Sequence, residues 1–379
     1  MARLETSREN RALLSSLRKA FPYMALDTCA VDGLCAMACP VGIDTGQLTK
    51  RFRQASHSRL AQKIALSVAR NFATLEPAIR LALRTGHLIQ RSFGPKAMPA
   101  ITRTLKAFGA IHQWSPEMPK AAKAPLPMTT MESAQAIYFP SCISRMMGHL
   151  PGESEEMSLA EALVKISVRG GMPVHIPPGV EGTCCGVPFS SKGYDAAHRF
   201  SVNRAIEKFW EWSEEGRLPI VMDTSPCTYG MISSRAYLTP DNQVKFDHLK
   251  ILDSTAFAHD VLLPKLRVTR KLNTVALFPV CSITKMDLTS KLEGVANACA
   301  DTVVVPRDAS CCGFAGDRGF THPELTASAT AREAREVKAQ SCDGHYASSR
   351  TCEMGLTRAT GKVYRSFLYL LEFATRQEA

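Results

Sequence analysis

Apolar residues recur at helical spacing through the first ninety positions of the chain. Over residues 8–21, Leu13, Leu14 and Leu17 share one side of a predicted helix. A compact loop follows, holding Cys29, Cys35 and Cys39 and ending at Pro40. Asp44 and Thr45 have the character of a helix start, and the pattern from there to about Phe93 predicts a largely helical stretch. Breaks are expected at Pro77 and at Gly94–Pro95. Residues 113–135 carry four prolines and no hydrophobic period, which predicts a linker. After residue 135, short apolar runs of strand type at 136–142, 172–177, 218–223, 274–281 and 302–306 alternate with helical stretches. The helices are expected at 158–169, 194–215, 287–299, 323–339 and 363–375. Such alternation predicts an α/β fold with parallel strands.

Cysteines mark a repeat inside this alternation. The first copy reads FPSC (139–142), TCCGVPF (183–189) and TSPC (224–227); the second reads FPVC (278–281), SCCGFAG (310–316) and SRTC (349–352). In each copy the single Cys closes a strand and the Cys-Cys-Gly lies in a loop before a helix. Four thiolates gathered from loops at neighbouring strand ends make a soft-metal site, suited to zinc or an iron–sulfur cluster. Gly186 and Gly313 permit the sharp turn that two adjacent ligands require. The plain alternative is a set of buried structural cysteines, and the twofold occurrence of the whole pattern favours metal.

Charge divides the chain differently. With 46 Lys+Arg against 35 Asp+Glu the net charge is +11, yet residues 1–135 hold 19 basic and 8 acidic residues, and the remainder is balanced at 27 each. The basic third admits a solvated helical surface, or docking on an acidic partner or anionic lipid. Its charges are not interleaved with aromatics, so nucleic-acid binding is not expected. Thirteen cysteines in 379 residues are too few for a disulfide scaffold, and an odd number cannot all pair. The charged N-terminal decapeptide has no signal-peptide character, and no apolar run is long enough to span a bilayer. Reduced thiols in the cytoplasm are therefore expected, with peripheral contact at the inner membrane face left open. The ten histidines form no HExxH, and Gly313, Gly316 and Gly319 give GxxGxxG rather than a dinucleotide fingerprint. Cys299 is expected in the core and Cys342 in a structural role.

The N-terminal loop fits the ferredoxin spacing C-x2-C-x2-C-x3-C-P, with Asp32 in the second cysteine's place. Asp32 is either a weak oxygen ligand or a turn residue beside Gly33. The strings DTCAVDGLCAMACPVGIDTGQL (27–48), CCGFAGDRGFTHPELTASAT (311–330) and SSRTCEMGLTRATGKVYRSFLYLLE (348–372) resemble the iron–sulfur C-terminal portion of FAD-linked oxidases. That group includes D-lactate and D-2-hydroxyglutarate dehydrogenases. The paired CCG segments are also similar to the iron–sulfur subunit of glycolate oxidase and to the CCG-bearing subunit of heterodisulfide reductase.

The resemblance implies a partial ferredoxin-like segment (1–47), a basic helical region (48–112), a linker (113–135) and two repeated CCG cysteine-rich α/β units (136–271 and 272–379). It implies cluster ligation, 4Fe–4S in type, by Cys29, Cys35 and Cys39. It further implies metal ligation by Cys142, Cys184, Cys185 and Cys227 and by Cys281, Cys311, Cys312 and Cys352. Thr224 and Ser349 stand where the fullest CCG pattern has a further cysteine, which leaves a four-thiolate cluster or zinc open. The family's larger members carry a flavin domain and a complete CxxCxxC upstream. Their absence leads to the expectation of a split or truncated module, or of a subunit beside an FAD flavoprotein that passes electrons to a quinone or other acceptor. A zinc-holding scaffold that docks a flavoprotein, and disulfide reduction at a cluster, are the alternatives.

Overall fold

The computed structural model describes residues 10–106, 112–153, 157–307 and 309–377. Two four-stranded parallel sheets organise the chain. The first has β1 (Ala136–Phe139), β2 (Val174–His175), β3 (Ile220–Met222) and β4 (Ile251–Asp253) in the order β2-β1-β3-β4. The second has β5 (Leu272–Leu277), β6 (Ala300–Val304), β7 (Gly344–Ala347) and β8 (Tyr364–Ser366) in the equivalent order β6-β5-β7-β8. Helices cover both faces, so central strands are apolar throughout: Ala136, Ile137 and Tyr138 are wholly buried, as are Ile220, Val221 and Met222. The fold is thus mixed α/β with two cysteine-rich repeats, as expected.

Three strands escape the apolar pattern. β4, β7 (GHYA) and β8 (YRS) are short and contain polar residues, yet each completes a parallel ladder, His345 pairing with Tyr364 and Met222 with Asp253. The predicted helix 363–375 is therefore strand β8 followed by helix Phe367–Thr375, which Ser366 caps by accepting from the Leu368 N–H. The predicted helix 323–339 divides into Pro323–Ala329 and Ala331–Lys338. At the joint the buried Thr330 hydroxyl donates to the Thr326 carbonyl at 2.7 Å, a local bond that competes with continuous helix.

The basic region forms helices Thr45–Ser56, Arg59–Arg70, Phe72–Phe93 and Ala97–Lys106. Pro77 does not break the chain as expected; the break falls earlier, at Asn71, and Phe72–Phe93 runs straight through the proline. Tertiary anchoring overrides it, because Phe72, Glu76 and Leu83 are all buried against the body. Gly94 does end the helix, at φ 89°. The first helix begins at Arg11, capped by the Asn10 side chain, and Arg8 and Glu9 lie outside the described residues. Among the described residues no helix is long and apolar enough to cross a membrane.

The proline-rich segment carries no helix or long strand but is packed down. The buried Trp114 donates from its indole to Gln90 at 3.0 Å and from its backbone N–H to the Thr102 hydroxyl at 2.9 Å. Ala121 bridges Met147, joining the segment to the first repeat. The two repeats meet through Ser225 and Ser348, whose hydroxyls lie 3.0 Å apart, and through Arg350 with Glu153 at 2.7 Å. Lys285 of the second repeat sits 4.0 Å over the ring of Tyr229 of the first.

A Cβ on Gly86 would overlap the Trp114 indole, so Gly86→Ala should lower stability by about 1–3 kcal/mol, although glycine-to-alanine in a free helix gains about 1 kcal/mol; urea denaturation followed by tryptophan fluorescence gives the sign. Glu333 is buried with no hydrogen-bond partner, and burial pushes its carboxyl up to about 8. A carboxyl raised on folding favours the folded state fully below its unfolded pKa and loses that contribution as pH rises through the folded one. Stability should therefore fall between about pH 4.5 and 8, and Glu333→Gln should flatten that slope in pH-dependent melts.

Candidate metal centre

In each repeat the cysteines sit where the backbone leaves the C-terminal ends of the central strands. Cys142 and Cys281 open the short helices Cys142–Met146 and Cys281–Lys285 that follow β1 and β5. Cys227 and Cys352 occupy the first turns of helices Ser225–Ile232 and Arg350–Thr360 that follow β3 and β7. The strand order reverses between β1 and β3, and again between β5 and β7, so each cysteine group lies at a topological switch point, where open α/β sheets place their ligands. The Cys-Cys-Gly loops reach the same spot from the edge strands. Gly186 (φ 78°) and Gly313 (φ 66°) take the left-handed turn, and a Cβ at Gly313 would clash with the Thr326 backbone.

The thiols stand in the same order in both repeats. In the first, Cys142 lies 4.0 Å from Cys184, which contacts Cys185, which contacts Cys227. In the second, Cys281 contacts Cys311, Cys311 contacts Cys312, and Cys312 lies 2.9 Å from Cys352. The N–H groups of Gly186 and Gly313 point at the first sulfur of each pair, both at 3.4 Å. Hydrogen bonding to the next cysteine, together with burial, holds the Cys142 and Cys281 thiols well above the usual thiol range. In a buried site of this kind a thiol keeps its proton until a metal cation replaces it.

Among the described residues no three Cys, His, Asp or Glu side chains already surround one point at metal-ligand spacing. The thiols form a chain, and turning a chain into a shell takes rotation about the one side-chain torsion each possesses. The donor set itself fits a soft metal: four sulfurs per repeat, backbone N–H groups aimed at sulfur, and burial of Cys142, Cys184, Cys185, Cys227, Cys312 and Cys352. All thirteen cysteines are free. Cys299 is in the core, while Cys342 is half-buried.

The N-terminal loop is less complete. Cys35 and Cys39 are neighbours; the Thr45 hydroxyl lowers the first, and the Ile43 and Val41 N–H groups lower the second. Cys29 lies within electrostatic reach of Arg53 and Arg318, and its carbonyl accepts from the Arg53 guanidinium at 2.9 Å. Asp32 acts as a turn residue, accepting from the Leu34 N–H at 3.2 Å beside Gly33 at φ 74°. Its carboxylate is close enough to Cys281 and Cys311 to raise both thiols, and Lys285 donates to its carbonyl at 2.9 Å. The loop thus lies against the second repeat's cysteines.

Several residues that position the first repeat's cysteines are invisible to motif reading. Arg145 is buried with Glu76, donating from Nε to Oε2 at 3.0 Å. The same guanidinium holds the carbonyls of Pro140 and Thr183, the latter at 2.8 Å. Those carbonyls lie two residues before Cys142 and directly before Cys184. Glu76 also accepts from the Gly182 N–H at 3.0 Å. Asp223 ties the strand ends together, accepting from the Ser141 N–H at 2.9 Å and the Tyr138 hydroxyl at 2.8 Å. The sequence does hold one signal for Glu76: between residues 45 and 105 it is the sole acid among eleven Lys and Arg. Thr224 and Ser349 face a common cavity of about 610 Å³ between the repeats, with Arg350 and Glu353 in its wall.

Residues 136–232 and 275–357 each match the family model of the cysteine-rich domain named CCG. No curated protein matches the chain. The two matches support an iron–sulfur-type, metal-binding module built from two cysteine-rich domain repeats, whose segments contain the eight thiols of the two chains.

Removing one partner of the Glu76–Arg145 pair leaves a buried charge uncompensated. Glu76→Leu is expected to cost about 3–5 kcal/mol in urea denaturation. Glu76→Leu combined with Arg145→Met should recover much of that loss, which a double-mutant cycle measures.

Proposed function

We propose that this chain, two segments of which match the CCG cysteine-rich domain, is the iron–sulfur electron-transfer module of an FAD-dependent 2-hydroxyacid dehydrogenase system of the D-lactate, D-2-hydroxyglutarate or glycolate class. In this reading it takes electrons from a flavoprotein domain or subunit and delivers them to a quinone or other acceptor. The observation that carries the reading is the duplicated chain of four thiols, with a matching N–H to sulfur bond, at the same switch point of two equivalent sheets. A bound cluster would supply one-electron storage at these sites.

The chain's own residues do the rest. Cys142, Cys184, Cys185 and Cys227, and Cys281, Cys311, Cys312 and Cys352, are the ligands offered in each repeat; Cys29, Cys35 and Cys39 are offered by the loop. The Gly186 and Gly313 N–H groups stabilise negative charge on sulfur, which favours a reduced site. Arg145 and Lys285 place cationic groups beside the two cysteine sets. Asp32 opposes that effect at the second repeat, where its charge raises Cys281 and Cys311. Contact between the Asp32 loop and the Cys281 helix brings the loop's thiols toward the second repeat, the arrangement that short-range electron transfer needs. No residue is assigned to bond breaking on the hydroxyacid.

Protein purified without oxygen should contain iron and acid-labile sulfide, absorb in the visible range and give an EPR signal on dithionite reduction. Zinc in place of iron, with no visible absorbance and no reducible signal, would overturn this reading in favour of a four-thiolate structural scaffold.

A further inference from the structure

The first third of the chain exposes its large apolar side chains in a way the rest does not. On helix Phe72–Phe93, Leu81 and Leu88 are each 64% exposed, and Phe93 is 78% exposed. Arg84 and Arg91 are interleaved with the leucines at spacings of three and four, so all four share one exposed stripe. Helix Arg59–Arg70 repeats the arrangement: Leu60 and Ile64 are 68% and 56% exposed, beside Lys63. The buried faces of these helices are already used, through Ala65, Ala69, Phe72 and Leu83. The exposed stripes are therefore second, outward-facing apolar surfaces.

Their electrostatics are one-sided. Eleven Lys and Arg fall between residues 45 and 105, and the single acid, Glu76, is buried and paired with Arg145. No carboxylate in this segment is exposed to answer the cations. A protein interface normally mixes both signs, with charge depleted from its apolar centre. Alternating leucine and arginine along a helix axis, without acids, matches instead a surface that is anionic everywhere and apolar just beneath: a bilayer of acidic phospholipid.

We infer that helices Arg59–Arg70 and Phe72–Phe93 attach this protein to the surface of an anionic membrane. The helices lie in the headgroup plane, with Leu60, Ile64, Leu81, Leu88 and Phe93 entering the acyl boundary. The arginines and lysines meet lipid phosphates. The inference does not depend on which metal the cysteines hold.

The test is sedimentation of the full chain with phosphatidylcholine vesicles, with and without phosphatidylglycerol. Binding is expected only to the phosphatidylglycerol vesicles, weakening as salt rises. Arg84→Gln with Arg91→Gln should weaken it about 25-fold, at roughly fivefold per charge. Leu81→Ser with Leu88→Ser should weaken it by roughly tenfold or more. All four positions are exposed, and circular dichroism with gel filtration checks that each variant stays folded. Failure to sediment with either vesicle overturns the inference and leaves an acidic protein as the occupant of this face. Sedimentation that neither double variant weakens overturns it as well.

Discussion

The buried pair of Glu76 and Arg145 is the constraint on which the first repeat's site rests. A guanidinium that is 2% exposed cannot stay charged in an apolar interior without a counter-ion, and a carboxylate that is fully buried has the same need. Once both are present, their further hydrogen bonds are directed at backbone. Arg145 gathers two carbonyls from the cysteine loops, and Glu76 accepts from the Gly182 N–H. The pair therefore fixes the separation of the Cys142 turn from the Cys184–Cys185 turn. It also makes the helical region an integral part of that site, because Glu76 is contributed from the basic segment.

The two repeats share sheet order and thiol order but differ in the charges that support them. Asp223, at the end of β3, bonds the Ser141 N–H and the Tyr138 hydroxyl; Ser348 holds the matching place after β7 and bonds instead across to Ser225. Arg145 sits beside the first cysteine group, while Lys285 and Asp32 sit beside the second. Two sets of four thiols in the same order then experience different fields, and local charge and hydrogen bonding to sulfur are the levers by which a protein sets the behaviour of thiol sites.

Much of this was legible in the chain because the relevant signals are local. β1, β3 and β5 announce themselves as apolar runs, and the FPxC, CCG and xxxC strings recur in the same order, which places the cysteines at strand ends before any contact is known. β7 and β8 were not legible: GHYA and YRS acquire strand character only from the ladders that accept them. Pro77 misleads for the same reason, since the burial of Phe72 and Glu76 outweighs a local preference. Arg145 and Glu76 lie 69 residues apart, and although Glu76 stands out as a lone acid in a basic stretch, no spacing rule names Arg145 as its partner.

The contact between Lys285 and the Asp32 carbonyl spans 253 positions. A ribosome adding 5–20 residues per second needs roughly 13–50 s to cover that interval. Throughout that interval the Cys29–Cys39 loop exists without the helix against which it finally rests. The Asp32 carbonyl has no Lys285 to bond until that residue is made, so the seating of this loop is among the later contacts the chain can form.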